Sequence, residues 1–139
     1  MTTEFLHNFI SKHKFAVLST VSEDNSAQAA AVGIVASNDL RIFFDTVTTS
    51  RKYKNLSSNS SIAFVIGWED GKTIQYEGIA RIPNETELQE FLELYFSVFP
   101  DGIERNEQWK DITYFLVQPR WIRFSDFTAT PQHIEEITF

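Results

Sequence analysis

The chain contains no cysteine, which removes a disulfide framework, a thiolate zinc site and a cysteine nucleophile together. An intracellular compartment fits that composition. Long apolar runs are also missing. The two longest, Ala29 to Ala36 and Ile62 to Trp68, fall well short of the roughly 20 residues a helix needs to span a bilayer. The opening Met-Thr-Thr-Glu-Phe-Leu-His lacks the basic-then-apolar order of a secretion signal, so a soluble, cytoplasmic protein with no membrane partner is expected. Basic residues are scarce, with 12 Lys and Arg against 19 Asp and Glu and a formal charge of -7. Through Asn84 the two signs balance at eight each, and beyond it four basic residues meet eleven acidic ones. An acidic surface without a broad basic stripe repels a phosphate backbone, which argues against nucleic acid as a partner. The three histidines, His7, His13 and His133, are dispersed and have no carboxylate at a metal-ligand spacing, so no metal is expected.

What is present is apolar and aromatic. Of 139 residues, 42% are hydrophobic and 13 are Phe, enough to build one ordinary domain and too much for a disordered tail. Phe5, Leu6, Phe9 and Ile10 recur at helical spacing within Thr3 to Lys12, with Thr3 as the cap. Phe15 to Val21, Gln28 to Ala36 and Leu40 to Asp45 read as strands separated by short turns, which favours consecutive antiparallel pairing. Ser50 to Leu56 reads as a short helix. Ser61 to Trp68 is nearly all apolar, the pattern of a strand buried on both faces. Thr73 to Ile82 follows as its hairpin partner. Leu88, Phe91, Leu92, Tyr95 and Phe96 place the apolar face of a helix within Glu85 to Val98, ended by Phe99-Pro100-Asp101-Gly102. Thr113 to Phe127 returns to strand, and Pro119 within it implies an edge or a bulge. Six strands with a few helices and short loops predict a mainly β fold, a small closed antiparallel barrel spanning residues 1–139 as one domain.

The chemistry concentrates in Phe43-Phe44-Asp45-Thr46-Val47-Thr48-Thr49-Ser50-Arg51-Lys52. A strand hands over to a helix there, and the first helical N–H groups have no internal acceptor and carry partial positive charge. Thr46, Thr49 and Ser50 add hydroxyls, Arg51 a planar fork and Lys52 a point charge, a phosphate socket without a Gly-rich loop. The competing reading makes Ser50 only a cap and leaves Arg51 and Lys52 as solvated charges. Neither Ser19 nor Ser26 has an elbow or a neighbouring base, so hydrolase chemistry has no support.

This segment resembles the pyridoxamine 5'-phosphate oxidase-like, FMN-binding split-barrel family, in particular its short general-stress-protein type. Asn55-Leu56, the strand Ile62 to Trp68, the run Thr73-Ile74-Gln75-Tyr76-Glu77-Gly78-Ile79-Ala80 and Pro119-Arg120-Trp121-Ile122-Arg123-Phe124 extend the likeness from about Phe15 to Asp126. The resemblance implies a six-stranded antiparallel split barrel and a homodimer with FMN at its interface. The phosphate would lie on Thr46, Ser50, Arg51 and Lys52. The ring would lie along Gln28, Ala29, Ala30, Ala31 and Val32, with Gln75 approaching it and Trp68 and Trp121 in its surroundings. Each tryptophan has an alternative as simple packing, and Gln75 as an ordinary outward strand residue. The second strand carries no basic residue, so backbone N–H groups must serve the polar edge of a flavin. The ending Thr130-Pro131-Gln132-His133-Ile134-Glu135-Glu136-Ile137-Thr138-Phe139 lacks the Arg-x-His-Asp-Arg element with which full-length oxidases hold substrate, so vitamin B6 oxidation is not expected. Two functions remain. One is a flavin-dependent oxidoreductase passing electrons between a reduced nicotinamide and a small-molecule substrate. The other is a non-catalytic flavin-binding or stress-response module. A deazaflavin or haem is a further alternative to FMN, with haem ranked last because no histidine falls in the core strands.

Overall fold

The computed structural model describes all 139 residues. Helix α1 (Thr3–Ser11) buries Leu6 and Ile10. Its cap is Thr2, whose hydroxyl accepts the Phe5 N–H at 3.0 Å, one residue earlier than expected, because the cap oxygen must reach the third helical amide. The strands are β1 (Phe15–Val21), β2 (Ala27–Gly33), β3 (Val35–Ala36), β4 (Ile42–Val47), β5 (Ser61–Ile66), β6 (Lys72–Arg81), β7 (Ile112–Asp126) and β8 (His133–Thr138). All pair antiparallel in one sheet of order β2-β1-β5-β6-β7-β4-β3, with β8 added on β7. The two ends of that order, β2 and β3, are separated in the chain only by Ile34, so the sheet has to curl until its ends meet. The result is the antiparallel split barrel that the pattern predicts, with eight strands where six were expected.

Two differences account for the count. The expected strand from Gln28 to Ala36 breaks at Ile34 because its halves serve opposite ends of the sheet, β2 against β1 and β3 against β4. Phe99 packs closely on the bend, since a Cβ on Gly33 would lie 2.8 Å from its ring and would displace it. The second addition is β8, whose exposed, mostly polar residues carry little strand signal. The consecutive antiparallel pairing expected of the first three segments holds, β1 with β2 and β3 with β4, and β4 pairs in addition with the distant β7.

Cross-strand partners share a face of the sheet, and the two faces are treated differently. The inner face holds a core of 21 buried residues including Leu18, Phe44, Phe64, Tyr76 and Ile122, with α1 closing one end. A fully buried side chain of this size contributes roughly 1.5–3 kcal/mol relative to exposure. The Tyr76 hydroxyl donates to Leu40 O at 2.7 Å, anchoring the turn in which Leu40 adopts a φ of 68°. Burial pushes its pKa upward.

The outer face of β3, β4 and the first half of β7 is covered by α3 (Glu85–Val98), which opens with a capping box from Asn84 and Glu87. Phe43 stacks between Phe91 at 5.4 Å and Tyr114 at 5.2 Å, with Tyr95 edge-on. The Pro100-Asp101-Gly102 break is the start of a further helix, α4 (Asp101–Gln108), which sequence periodicity misses because only Gly102 within it is buried.

No helix covers the outer face of β1, β2, β5 and β6. Strand β5 therefore alternates, with Val65 39% exposed, and is not buried on both faces as expected. Pro119 sits at a register shift opposite Glu77 and Gly78. It marks a bulge within a central strand and not an edge, at the point where β7 exchanges β4 for β8 as its neighbour. Gly78 is required there, because a Cβ would come within 2.5 Å of Gln118 O.

Candidate functional site

Helix α2 (Arg51–Ser58) begins where β4 ends. Ser50 caps it, accepting the Tyr53 N–H at 3.1 Å, and its hydroxyl pairs with Thr46 Oγ1 at 2.8 Å. Thr46 is buried because even-numbered residues of β4 point inward, following Ile42 and Phe44. The amides of Arg51 and Lys52, at the first two helical positions, have no intrahelical acceptor, and no acid stands in the first turn. None of Arg51, Lys52 and Lys54 enters an ion pair. Thr49 is exposed beside them.

Gln28 joins this corner from β2. Its Oε1 accepts from Arg51 Nε at 2.9 Å and from Asn55 Nδ2 at 2.9 Å, while Asn55 Nδ2 also reaches the buried Thr20 Oγ1 at 2.9 Å. The Arg51 bond uses only Nε, so both terminal nitrogens of its fork stay available. Asn55 and Thr20, both buried, were not singled out from the sequence as site residues. Asparagine inside a helix is the one local signal of them, since it is a poor helix former kept for its hydrogen bonds.

Two small cavities flank Lys52, which lines both. One, about 260 Å3, runs past Thr20, Gln28 and Ala30 to Arg51. The other, about 270 Å3, lies in the split between β2 and β4, between Ala31, Gly33, Thr46 and Trp109. The second exists because β2 pairs only with β1 and leaves its other edge open. Ile34 N–H donates toward β1, to Lys14 O at 2.9 Å. By strand alternation the amides of Ala29, Ala31 and Gly33 therefore project from the open edge.

Trp109, half-exposed, is a lining residue that the sequence did not mark. It follows α4, which is fixed to the end of β4 by Arg105 Nη2 on Asp45 Oδ2 at 3.2 Å and by Thr48 N–H on Asp111 O at 2.9 Å. Burial, and then the Asp45 charge, push Tyr114 up to about 12. Its hydroxyl stays protonated and donates to Asn106 Oδ1 at 2.8 Å, a further tether of α4.

Within one chain the remaining expected residues lie elsewhere. Ala31, Val17, Val65, Gln75 and Arg123 form one cross-strand row of the uncovered outer face, and Ala29, Ser19, Ala63, Glu77 and Trp121 form the next. Gln75 is thus three strands from Ala31, about 14 Å at a strand spacing of about 4.8 Å. Trp121 lies under the Arg123 guanidinium at 5.5 Å and donates to Glu136 at 3.3 Å. Trp68, 52% exposed, stands on the β5–β6 turn and lines a different cavity. The residues of α2, β4 and β2 converge, whereas Gln75, Trp68 and Trp121 do not join them in a single copy.

A family model described as pyridoxamine 5'-phosphate oxidase matches residues 2–126. The chain belongs to that family. Solved structures share the oxidase-family fold at low identity. A haem-binding protein from Mycobacterium smegmatis superposes with a TM-score of 0.83 at 12% identity, over 98% of this chain and 57% of that one. General Stress Protein 26 from Bacillus anthracis gives 0.70 at 17%, over 99% and 98%. A pyridoxamine 5'-phosphate oxidase-related, FMN-binding protein from Nostoc punctiforme gives 0.68 at 10%, over 99% and 92%. This chain therefore spans little more than half the length of the mycobacterial protein. No curated protein matches it in sequence. The family match ends at Asp126, so β8 lies outside it. No helix is long and apolar enough to cross a membrane.

Proposed function

We propose that this protein binds FMN, with the phosphate on the α2 corner and the ring in the split between β2 and β4, and serves as a flavin-dependent oxidoreductase for a small molecule. The observation that carries the reading is the convergence, at Lys52, of an uncompensated helix N-terminus and the open edge of β2. The donor set suits a phosphate monoester. Arg51 offers its two terminal nitrogens, Lys52 its ammonium, and the helix two amides. Of the Thr46–Ser50 hydroxyl pair, one proton serves the pair and the other is left for a ligand. The open-edge amides of Ala29, Ala31 and Gly33 suit the polar rim of the ring, as β2 has no cationic side chain. Trp109 and Asp45, the latter paired with Arg105, also line the groove. When bound, the flavin supplies the electron transfer, while the chain binds it, orients it and limits water.

The uncovered outer face, with Val17, Ala29, Ala31, Ala63 and Val65 among its residues, suits a second copy of the chain. Packing through it places Gln75 and Trp121 of one copy near the β2 edge of the other, which gives both residues a part in the site. FMN-related and haem-binding proteins share this fold, and haem is the rival ligand. Against it, no histidine lines either groove beside Lys52. The absorbance spectrum of the purified protein, before and after adding FMN, tests the proposal. Flavin bands that bleach with reduced nicotinamide and return with an added acceptor support the oxidoreductase. Bands that never bleach leave a flavin-binding module. A Soret band, or colourless protein that ignores FMN, overturns the reading.

A further inference from the structure

A cavity of about 710 Å3 opens where α1, the β5–β6 turn and the β7–β8 hairpin converge. No residue of α2, β2 or β4 lines it, so it is separate from the proposed flavin groove. Sheet geometry creates it. Because β8 extends β7, the inner-face rows Lys72–Asp126–His133 and Ile74–Phe124–Glu135 run on past the barrel, and α1 covers only part of them.

Its floor is aromatic. Phe124 is buried and takes the Phe5 ring at 5.0 Å and the Phe9 ring at 5.5 Å, both nearly perpendicular. Phe5 remains 44% exposed, and Trp68, 52% exposed, contributes the other open aromatic surface. The turn that carries Trp68 is pressed against α1. Gly67 has a φ of 75°, and a Cβ there would meet Phe9 Cζ at 2.9 Å and His13 Nε2 at 3.0 Å. His13 is itself half-buried, with Nδ1 donating to Phe9 O at 2.8 Å. Phe5 and Phe9 are therefore held on Phe124, and the backbone that leads into Trp68 is held on α1, before any ligand arrives.

The rim is net negative. It carries Glu69, Asp70, Asp126 and Glu135 against Lys12, Lys72 and the Met1 ammonium. Lys72 is the cross-strand partner of Asp126, and Glu135 already pairs with the Met1 ammonium at 2.9 Å and with His133 at 3.1 Å. Glu69 and Asp70 enter no ion pair. Open aromatic faces attract cations through the ring quadrupole. Cavities of roughly 300–1,000 Å3 are the size that encloses small organic ligands.

We propose that this cavity is a second binding site, for a planar aromatic cation held between Phe5 and Trp68 with its charge toward Glu69 and Asp70. The site does not depend on the flavin reading. The test is a fluorescence titration of the full chain with ethidium and, as an anion of similar size, anilinonaphthalenesulfonate. Ethidium is expected to saturate with a Kd about tenfold or more below that of the anion. Trp68→Ala should weaken ethidium about tenfold, and the exposed pair Glu69→Gln, Asp70→Asn about threefold while strengthening the anion. Arg51→Ala with Lys52→Ala should leave ethidium unchanged. No saturable ethidium binding, a tighter anion, or affinity indifferent to both the Trp68 and the Glu69/Asp70 variants overturns the proposal.

Discussion

Removing both cations of the α2 corner, Arg51→Ala with Lys52→Ala, separates a phosphate socket from a solvated surface pair. A charge-assisted hydrogen bond contributes about 1.5–3 kcal/mol when partly desolvated. Arg51 is exposed and Lys52 half-buried, so solvent screening puts each at or below the lower end of that range. Together they should contribute about 2–3 kcal/mol to FMN binding, or about 30- to 150-fold in Kd. Riboflavin carries the same ring without the phosphate, and its affinity should change less than about threefold. The assay is quenching of flavin fluorescence on titration with wild-type and variant protein. Arg51 also bonds Gln28, so the unfolding midpoint of the variant is measured alongside, and Lys52→Ala alone isolates the ammonium without touching that bond. Equal loss for the two ligands, or no loss for either, would refute the argument that these side chains hold the phosphate.

Two further outcomes follow from the geometry. If the uncovered outer face packs against a second copy, Val65→Arg should turn a dimer into a folded monomer in sedimentation velocity, because Val65 is exposed and its replacement leaves the core untouched. A wild-type protein that sediments as a monomer contradicts the interface. Glu87 is held at about 2, below its ordinary 4.5, first by the Arg81 hydrogen bonds and then by the Asn84 backbone N–H. A depressed carboxylate contributes stability above its unfolded pKa and loses it as pH falls through the folded value. Glu87→Gln should therefore flatten the decline in urea stability between pH 4.5 and pH 2, and an unchanged slope would show that the ion pair contributes nothing.

The elements with strong local signals were legible residue by residue. Strand β1 and helix α3 have the boundaries that their patterns predict, since the turn Ser22 to Ser26 bounds one and Asn84 and Pro100 bracket the other. The α2 corner was legible for the same reason, because a cap, its helix and its cations are consecutive. Helix α4 was not, being polar on nearly every side, and neither was β8, which carries little apolar alternation. Asn55, Thr20 and Trp109 escaped because their roles depend on partners 27 or more residues away, Thr20 from Asn55 at 35 and Asn55 from Gln28 at 27, or on a wall formed by a distant loop.

Residue order alone determined that this chain forms an antiparallel barrel and places a cationic helix start at the end of one strand, because caps, turns and apolar periodicity act over a few neighbours. Closure through Ile34 was decided only in three dimensions. So were the open β2 edge facing Lys52, the row that separates Gln75 from the socket, and the cavity beneath Trp68. Each depends on which strands become neighbours, and that is settled by packing between segments far apart in the chain.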